Sequence, residues 1–415
     1  MTATAEPAED ITLLADRMGR EDPYPLLHRM RRASPYVALP GLVLAGTHEV
    51  CSTVLRDPTM SSERQWATLA PAARGPRTRN FLHLDPPDHT RLRRLVSKAF
   101  TPRVVATLEP RIRRLTDDLV TAAAARGSME VVADLAYPLP LRVICELLGV
   151  PLADQQLVQE WSARLSEALE PPIPGLVGPA VSREAARART SFIAYFQALI
   201  ADRRRAPRDD LVSHLVAVED ASDRLDSSDI LATCILLINA GHETTVNLIA
   251  NGVLALLRHP AQLAALRAEP GLAAATVEEV LRYDAPVQIT SRVARHDTRL
   301  GDAEVSAGDM VVLLLGAANR DPAVYPDPDR FDIRRRNPAP HLAFSAGPHF
   351  CLGAGLARLE AQIALSAVTD RLREPRLRAG GISYKANLSL RGPQVLTVDF
   401  DDVLAPRRDG QEADK

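Results

Sequence analysis

Apolar residues recur every three to four positions along much of the chain, and the elements they predict are mostly helices. PYPLLHRMRR, Pro23 to Arg32, opens on proline and keeps its apolar side chains on one face. Two short apolar runs, Tyr36–Leu39 and Leu42–Ala45, flank Pro40-Gly41 and predict paired strands. Asp57–Asn80 is polar and irregular and reads as a surface loop. PPDHTRLRRLVSKAF predicts a helix that starts at a proline pair, and helical segments follow over Arg111–Ala125 and Leu139–Leu148. From Ser227 to about Arg258 the pattern predicts one long helix, and roughly 30 residues span about 45 Å, enough to cross a domain.

Beyond Arg282 the period changes. Val287–Ala294, Arg299–Val305 and Met310–Leu315 predict strands separated by Gly-Asp and Ala-Gly-Asp turns. PAVYPDPDRFDIRRRNPAP then reads as a proline-studded meander, and a final helix follows Cys351. Leu388–Phe400 alternates like a hairpin around Arg391-Gly392. PPIPGLVGP, Pro171 to Pro179, breaks two helical stretches of the same character and reads as a mobile connection within one domain. No internal repeat is present, and the absence of alternating βα units argues against a dinucleotide-binding domain. The expectation is a mainly α fold with small β-sheets, one large domain over 1–415, with flexible ends at 1–20 and 406–415.

Composition adds exclusions. The 415 residues are 46% hydrophobic and 25% charged, and 50 Lys plus Arg stand against 52 Asp plus Glu for a net charge of −2. Nothing in that balance favours nucleic acid or an anionic membrane as a partner. The N-terminus lacks a basic segment followed by an apolar core, so no secretory signal is read. Leu231–Leu257, the most apolar window, carries His242, Glu243, Asn247 and Asn251, groups that suit a buried helix of a soluble protein better than a membrane span. The four cysteines, Cys51, Cys145, Cys234 and Cys351, are too scattered for a disulfide framework, so reduced thiols in a cytoplasm are expected.

One cysteine has an unusual setting. In FSAGPHFCLGAGLARLE, Phe344 to Glu360, Cys351 lies between Gly347 and Gly353, just ahead of a helix. The glycines allow a bulky partner close to the backbone, and N–H groups at the helix start favour the thiolate. Taken alone, the loop fits a small buried cysteine, a nucleophile, half of a zinc site with His349, or the sole protein ligand of something larger.

The wider pattern Phe344-x-x-Gly347-x-His349-x-Cys351-x-Gly353, continued by Leu356-Ala357, resembles the haem-binding loop of the cytochrome P-450 family, with Ser345 where the family commonly has glycine. The resemblance implies that family's fold, a long central helix crossing over haem b, and Cys351 as the axial thiolate of the iron. Within that helix, AGHETT (Ala240 to Thr245) matches the family's oxygen-activation segment. Gly241 makes room for a ligand, and the buried pair Glu243-Thr244 matches the acid and alcohol that deliver protons to dioxygen. Thr244 can also hydrogen-bond back one turn and open the helix locally.

Three further stretches agree. Glu279 and Arg282, three apart on one helix, match a structural Glu-x-x-Arg motif whose third member maps to Arg330. His89, Arg93, Arg292 and His349 match positions that contact the haem propionates, and His89 and Arg93 share one helix face. Arg64–Asn80, Trp161–Pro179, Val287–Ser291 and the turn at Leu388-Ser389 match substrate-contacting regions, with Ile238, Gly241, Val287 and Leu388 as the individual candidates.

The implied reaction is insertion of one atom of O2 into a C–H or C=C bond of a hydrophobic small molecule. No flavin or iron–sulfur segment is visible, so NAD(P)H-derived electrons are expected from a separate ferredoxin and ferredoxin reductase, docking on the Cys351 side with Arg94, Lys98 and Arg103 as contacts. HLDPPDHTRLRRLV and AGHETTVNLIANG resemble soluble actinobacterial members that tailor polyketides, macrolides and other secondary metabolites. Two alternatives stand beside this: a haem-thiolate enzyme of different outcome (oxidative cyclisation, aryl coupling, peroxide-driven oxidation) and a non-enzymatic haem sensor.

Overall fold

The protein is described from a computed structural model covering residues 13–14, 16, 22–63, 67, 81–166, 183–219, 227–336, 339–385 and 387–406. The expectations for most of 1–20, for 64–80 apart from Ala67, for 167–179 and for 407–415 lie outside these residues.

Helices carry most of the chain, and Ser227–Arg258 forms one continuous helix of 32 residues. It packs against the post-cysteine helix Ala354–Arg371 and against Pro138–Leu148, Arg183–Arg205 and Ala273–Tyr283. Its apolar side chains divide between two clusters. Ile230 to Ile238 pack with Phe192, Phe196 and Leu199, whereas Val246 to Leu256 pack with Leu365, Val368 and Ile112. Asn239 and Gly241 to Thr245 belong to neither cluster, so the polar stretch of the helix lies between the two halves of the core.

The strands are β1 (Tyr36–Leu39), β2 (Leu42–Ala45), β3 (Met60–Ser61), β4 (Ser128–Glu130), β5 (Ile289–Ala294), β6 (Thr298–Leu300), β7 (Ala303–Val305), β8 (Met310–Leu314), β9 (Leu372–Arg373), β10 (Arg376–Tyr384), β11 (Pro393–Asp399) and β12 (Asp402–Val403). The largest sheet runs β1-β2-β8-β5-β3, with β2 and β8 parallel and the other pairs antiparallel. A second sheet runs β10-β11-β4, and β6–β7 and β9–β12 form small pairs.

Three predicted boundaries move. The helix expected from Arg111 starts at Pro102, where the Thr101 side chain accepts from the Val104 amide; exposed Pro110 lies inside it. A proline on the solvent face is accommodated there, and Thr101-Pro102 is the true start signal. Arg299–Val305 folds back on itself at Gly301-Asp302, with Thr298 opposite Val305. The C-terminal hairpin is wider than its alternation suggested: its arms are β10 and β11, joined by residues 385–392.

Candidate active site

The helix Asp88–Ser97, Arg292 on β5 and the 344–353 loop together build a basic cluster. His89 is 2% exposed, its ring lies 4.1 Å from that of His349, and neither of its ring nitrogens has a hydrogen-bond partner. Burial, with Arg292, His89, Arg93 and His83 nearby, pushes His349 down to about 3. His89 is lowered by burial and then by Arg93 and Arg292, against Asp85. Cations crowded this closely repel one another, and a buried imidazole without partners costs desolvation energy. The arrangement calls for an anion.

The cysteine loop is held from several sides. The Cys351 amide donates to the Phe344 carbonyl at 2.9 Å, and Phe350 N–H to the Gly347 carbonyl at 3.0 Å. Arg93 donates to the Phe350 carbonyl at 2.5 Å, linking basic cluster and loop directly. Gly347 has φ of 66°, and a Cβ there would meet the Leu55 carbonyl at 2.7 Å. Ser345 also has a positive φ, 63°, although it is not glycine.

Charge separates Cys351 from the other three cysteines. Cys51, Cys145 and Cys234 are buried, and burial together with Asp321, Glu146 and Asp210 respectively pushes their thiols up. Burial also raises Cys351, but the Gly353 and Ala354 amides and the Arg93 and Arg358 guanidiniums pull it down. Cys351, unlike the other three, is exposed. Among the described residues no cluster of three or more His, Cys, Asp or Glu could hold a metal ion, so a zinc site with His349 lacks its remaining ligands. Arg358, which the sequence reading passed over, stacks 4.6 Å from the Phe344 ring centre and pairs with Glu278 at 2.6 Å.

On the central helix, Glu243 is 5% exposed and forms an ion pair with Lys385, whose ammonium also reaches Asn247 Oδ1 at 3.1 Å. Thr245 Oγ1 donates to the Gly241 carbonyl at 3.0 Å, and the helix stays continuous there instead of opening. A Cβ added at Gly241 or Gly353 would meet nothing within 4 Å, so both glycines border open space.

The structural triad differs from expectation. Arg282 bonds both Glu279 oxygens, at 2.8 and 2.9 Å, but the third partner is Arg335, whose Nε donates to Glu279 at 3.2 Å. The Arg330 side chain is two-thirds exposed near Asp332; only its carbonyl takes part, accepting from Arg282 and Arg335. Arg335 also donates to the Pro326, Asp327 and Arg330 carbonyls, so the backbone around the turn at Asp327 holds its guanidinium beside Glu279.

The substrate candidates separate likewise. Ile238 is fully buried and Leu388 is 7% exposed, both within apolar clusters, so neither offers much open surface. Val287 is half-buried and bridges to Leu390. Of Trp161–Pro179 only the start is described, and Trp161 borders a different groove of about 1100 Å³ together with Tyr137 and Arg164. Arg94, Lys98 and Arg103 are exposed.

The model of the cytochrome P450 family matches residues 41–373, which include the basic cluster, the cysteine loop and the central helix. The chain belongs to the cytochrome P450 family. Cytochrome P450 monooxygenase PikC of Streptomyces venezuelae is 40% identical over 409 residues, 96% of this chain and 95% of that protein. Cytochrome P450 CYP107DY1 of Priestia megaterium is 43% identical over 323 residues, 77% of each chain. The crystal structure of ligand-free CYP164A2 of Mycobacterium smegmatis superposes with a TM-score of 0.87 at 47% identity, covering 94% of this chain and all of that one. The fold is that of the P450 family, and the protein is a P450 enzyme, an oxidoreductase built around haem. Among the described residues no helix is long and apolar enough to cross a membrane.

Proposed function

We propose that this P450 is a haem-thiolate monooxygenase that hydroxylates or epoxidises a hydrophobic secondary metabolite of polyketide or macrolide type. Electrons come from NAD(P)H through a separate ferredoxin and reductase. The observation that carries the reading is the cluster of His89, His349, Arg93 and Arg292, with both ring nitrogens of buried His89 unpartnered, beside a cysteine with Arg93 and Arg358 as cationic neighbours. A flat ligand bearing two carboxylates and a metal fits both needs: its carboxylates would give His89 the partners it lacks, and Cys351 would hold the iron. Gly353 leaves room beside the cysteine and Gly241 leaves room beside the central helix.

When bound, haem supplies the activation of O2. The remaining work falls to the chain. Arg93 and the Gly353 and Ala354 amides stabilise negative charge on the sulfur against the burial that raises the thiol. Glu243 and Thr244 hold and pass protons on the central helix. Val287 and Gly241, with the 387–390 turn behind them, shape the space for an apolar substrate. The metabolite class rests on similarity to PikC and to cyclomarin C epoxidase CymV of Salinispora arenicola, 40% identical over 347 residues.

The reading is tested by the spectrum of the reduced, CO-treated holoenzyme. A Soret band at the thiolate position, lost in Cys351→Ala, is expected; its absence in the wild type overturns the assignment. A macrolide panel scored by the low- to high-spin shift, followed by product mass spectrometry with ferredoxin and reductase, then tests substrate class. Product formed only with peroxide would favour the peroxygenase alternative.

A further inference from the structure

The ion pair between Glu243 and Lys385 joins two parts of the molecule that sequence keeps 142 residues apart. Glu243 lies in the polar gap of the central helix. Lys385 opens the loop between β10 and β11, and its amide donates to the Gly392 carbonyl at 3.4 Å, closing that loop at its base. The same ammonium bonds Asn247, one turn further along the helix, so it spans two side chains of one face. A Cβ on Gly392 would come within 2.4 Å of Asn247 Oδ1, so the loop's closing backbone lies directly on the helix. Asn251 continues the seam by donating to the Arg391 carbonyl at 3.1 Å.

The loop also touches the other side of the site. Gln288 N–H donates to the Ser389 carbonyl and Arg391 N–H to the Pro286 carbonyl, each at 2.8 Å. Leu388 and the Val287–Leu390 bridge therefore belong to the segment whose base is Lys385. Among the described residues, Tyr137 and His242 also feel the charge of Glu243, and His242 Nε2 is engaged with the Tyr137 carbonyl at 3.1 Å. Lys385 is the described cation that fixes where the carboxylate points.

We propose that Lys385 is a positioning residue for proton delivery: it anchors the Glu243 carboxylate to the 385–392 loop, and so ties the acid to the segment carrying Leu388 and Leu390. The proposal rests on the monooxygenase reading, in which Glu243 handles protons. A carboxylate that swings freely on its helix delivers protons less reproducibly than one held by a charge-assisted bond.

The test uses holoenzyme and two readouts. In a guanidinium-unfolding cycle of Lys385→Met, Glu243→Gln and the double variant, non-additivity of about tenfold in the unfolding equilibrium constant is expected. NADH oxidation with a ferredoxin and its reductase, in H2O and in D2O without added substrate, is expected to show a larger solvent isotope effect in Lys385→Met and near wild-type behaviour in Lys385→Arg. Lys385→Gln, which retains a donor to Asn247, takes the place of the Met variant should that fail to fold. Additive unfolding effects, or an unchanged isotope effect, overturn the proposal. A wild type that shows no thiolate band and consumes no NADH removes the monooxygenase reading and the proposal with it; a working wild type indifferent to Lys385 removes the proposal alone.

Discussion

The Cys351 amide is bonded to the Phe344 carbonyl at 2.9 Å, and the turn closed by that bond holds Ser345 in the left-handed region at φ 63°. A non-glycine residue there carries about 1–2 kcal/mol of strain, and the buried Ser345 Oγ has no hydrogen-bond partner. Ser345→Gly is expected to raise the unfolding free energy by about 0.5–1 kcal/mol after the entropy of a more flexible unfolded chain is subtracted. Ser345→Ala keeps the strain and is expected to change stability by less than about 0.5 kcal/mol. Denaturant unfolding of the two variants separates strain from the unpaired hydroxyl.

Arg335 and Arg330 offer a paired test of the corrected triad. Arg335→Ala leaves buried Glu279 with one cation fewer and is expected to cost about 2–3 kcal/mol. Arg330→Ala removes an exposed side chain and is expected to stay within about 0.5 kcal/mol. Unfolding midpoints and haem content per chain report both.

His89→Phe keeps an aromatic ring against His349 but removes both unpartnered nitrogens. If those nitrogens bind a haem carboxylate, haem affinity falls about tenfold or more, the scale of one charge-assisted hydrogen bond. Haem transfer to apomyoglobin measures this without any turnover.

His242 predicts a pH dependence. Burial lowers it from 6.5 to about 4, so between these values the unfolded chain binds a proton that the folded chain refuses. Stability contributed by neutral His242 is complete above about 6.5 and is lost as pH falls towards 4, by up to about 3 kcal/mol. His242→Phe should therefore flatten the fall in unfolding free energy between pH 7 and 4.5. An equal slope in both proteins would remove His242 as the cause.

Reading the sequence succeeded where a single period or a dense motif carried the information. The central helix was legible because apolar positions persist on both sides of AGHETT, and β1 and β2 because Pro40-Gly41 separates two apolar runs. Arg335 was not, because Arg334, Arg335 and Arg336 are alike in sequence, and only tertiary contacts set apart the one that reaches Glu279 and the Pro326, Asp327 and Arg330 carbonyls. Lys385 left no signal either: a lone lysine beyond a strand reads as solvated, and its partner is fixed by tertiary packing alone. Gly392 was read as a turn glycine, whereas its backbone is pressed against Asn247.

That contact constrains the grafting of foreign segments into this chain. The segment from Lys385 to Gly392 and the helix face bearing Glu243, Asn247 and Asn251 interlock as a lock does with its key. A chimaera that imports a foreign C-terminal hairpin to alter substrate scope must import the matching helix face as well. Exchanged alone, the hairpin would bring a new side chain into Asn247 or strand Glu243 without its cation, and the graft would report on that broken seam before it reported on any substrate.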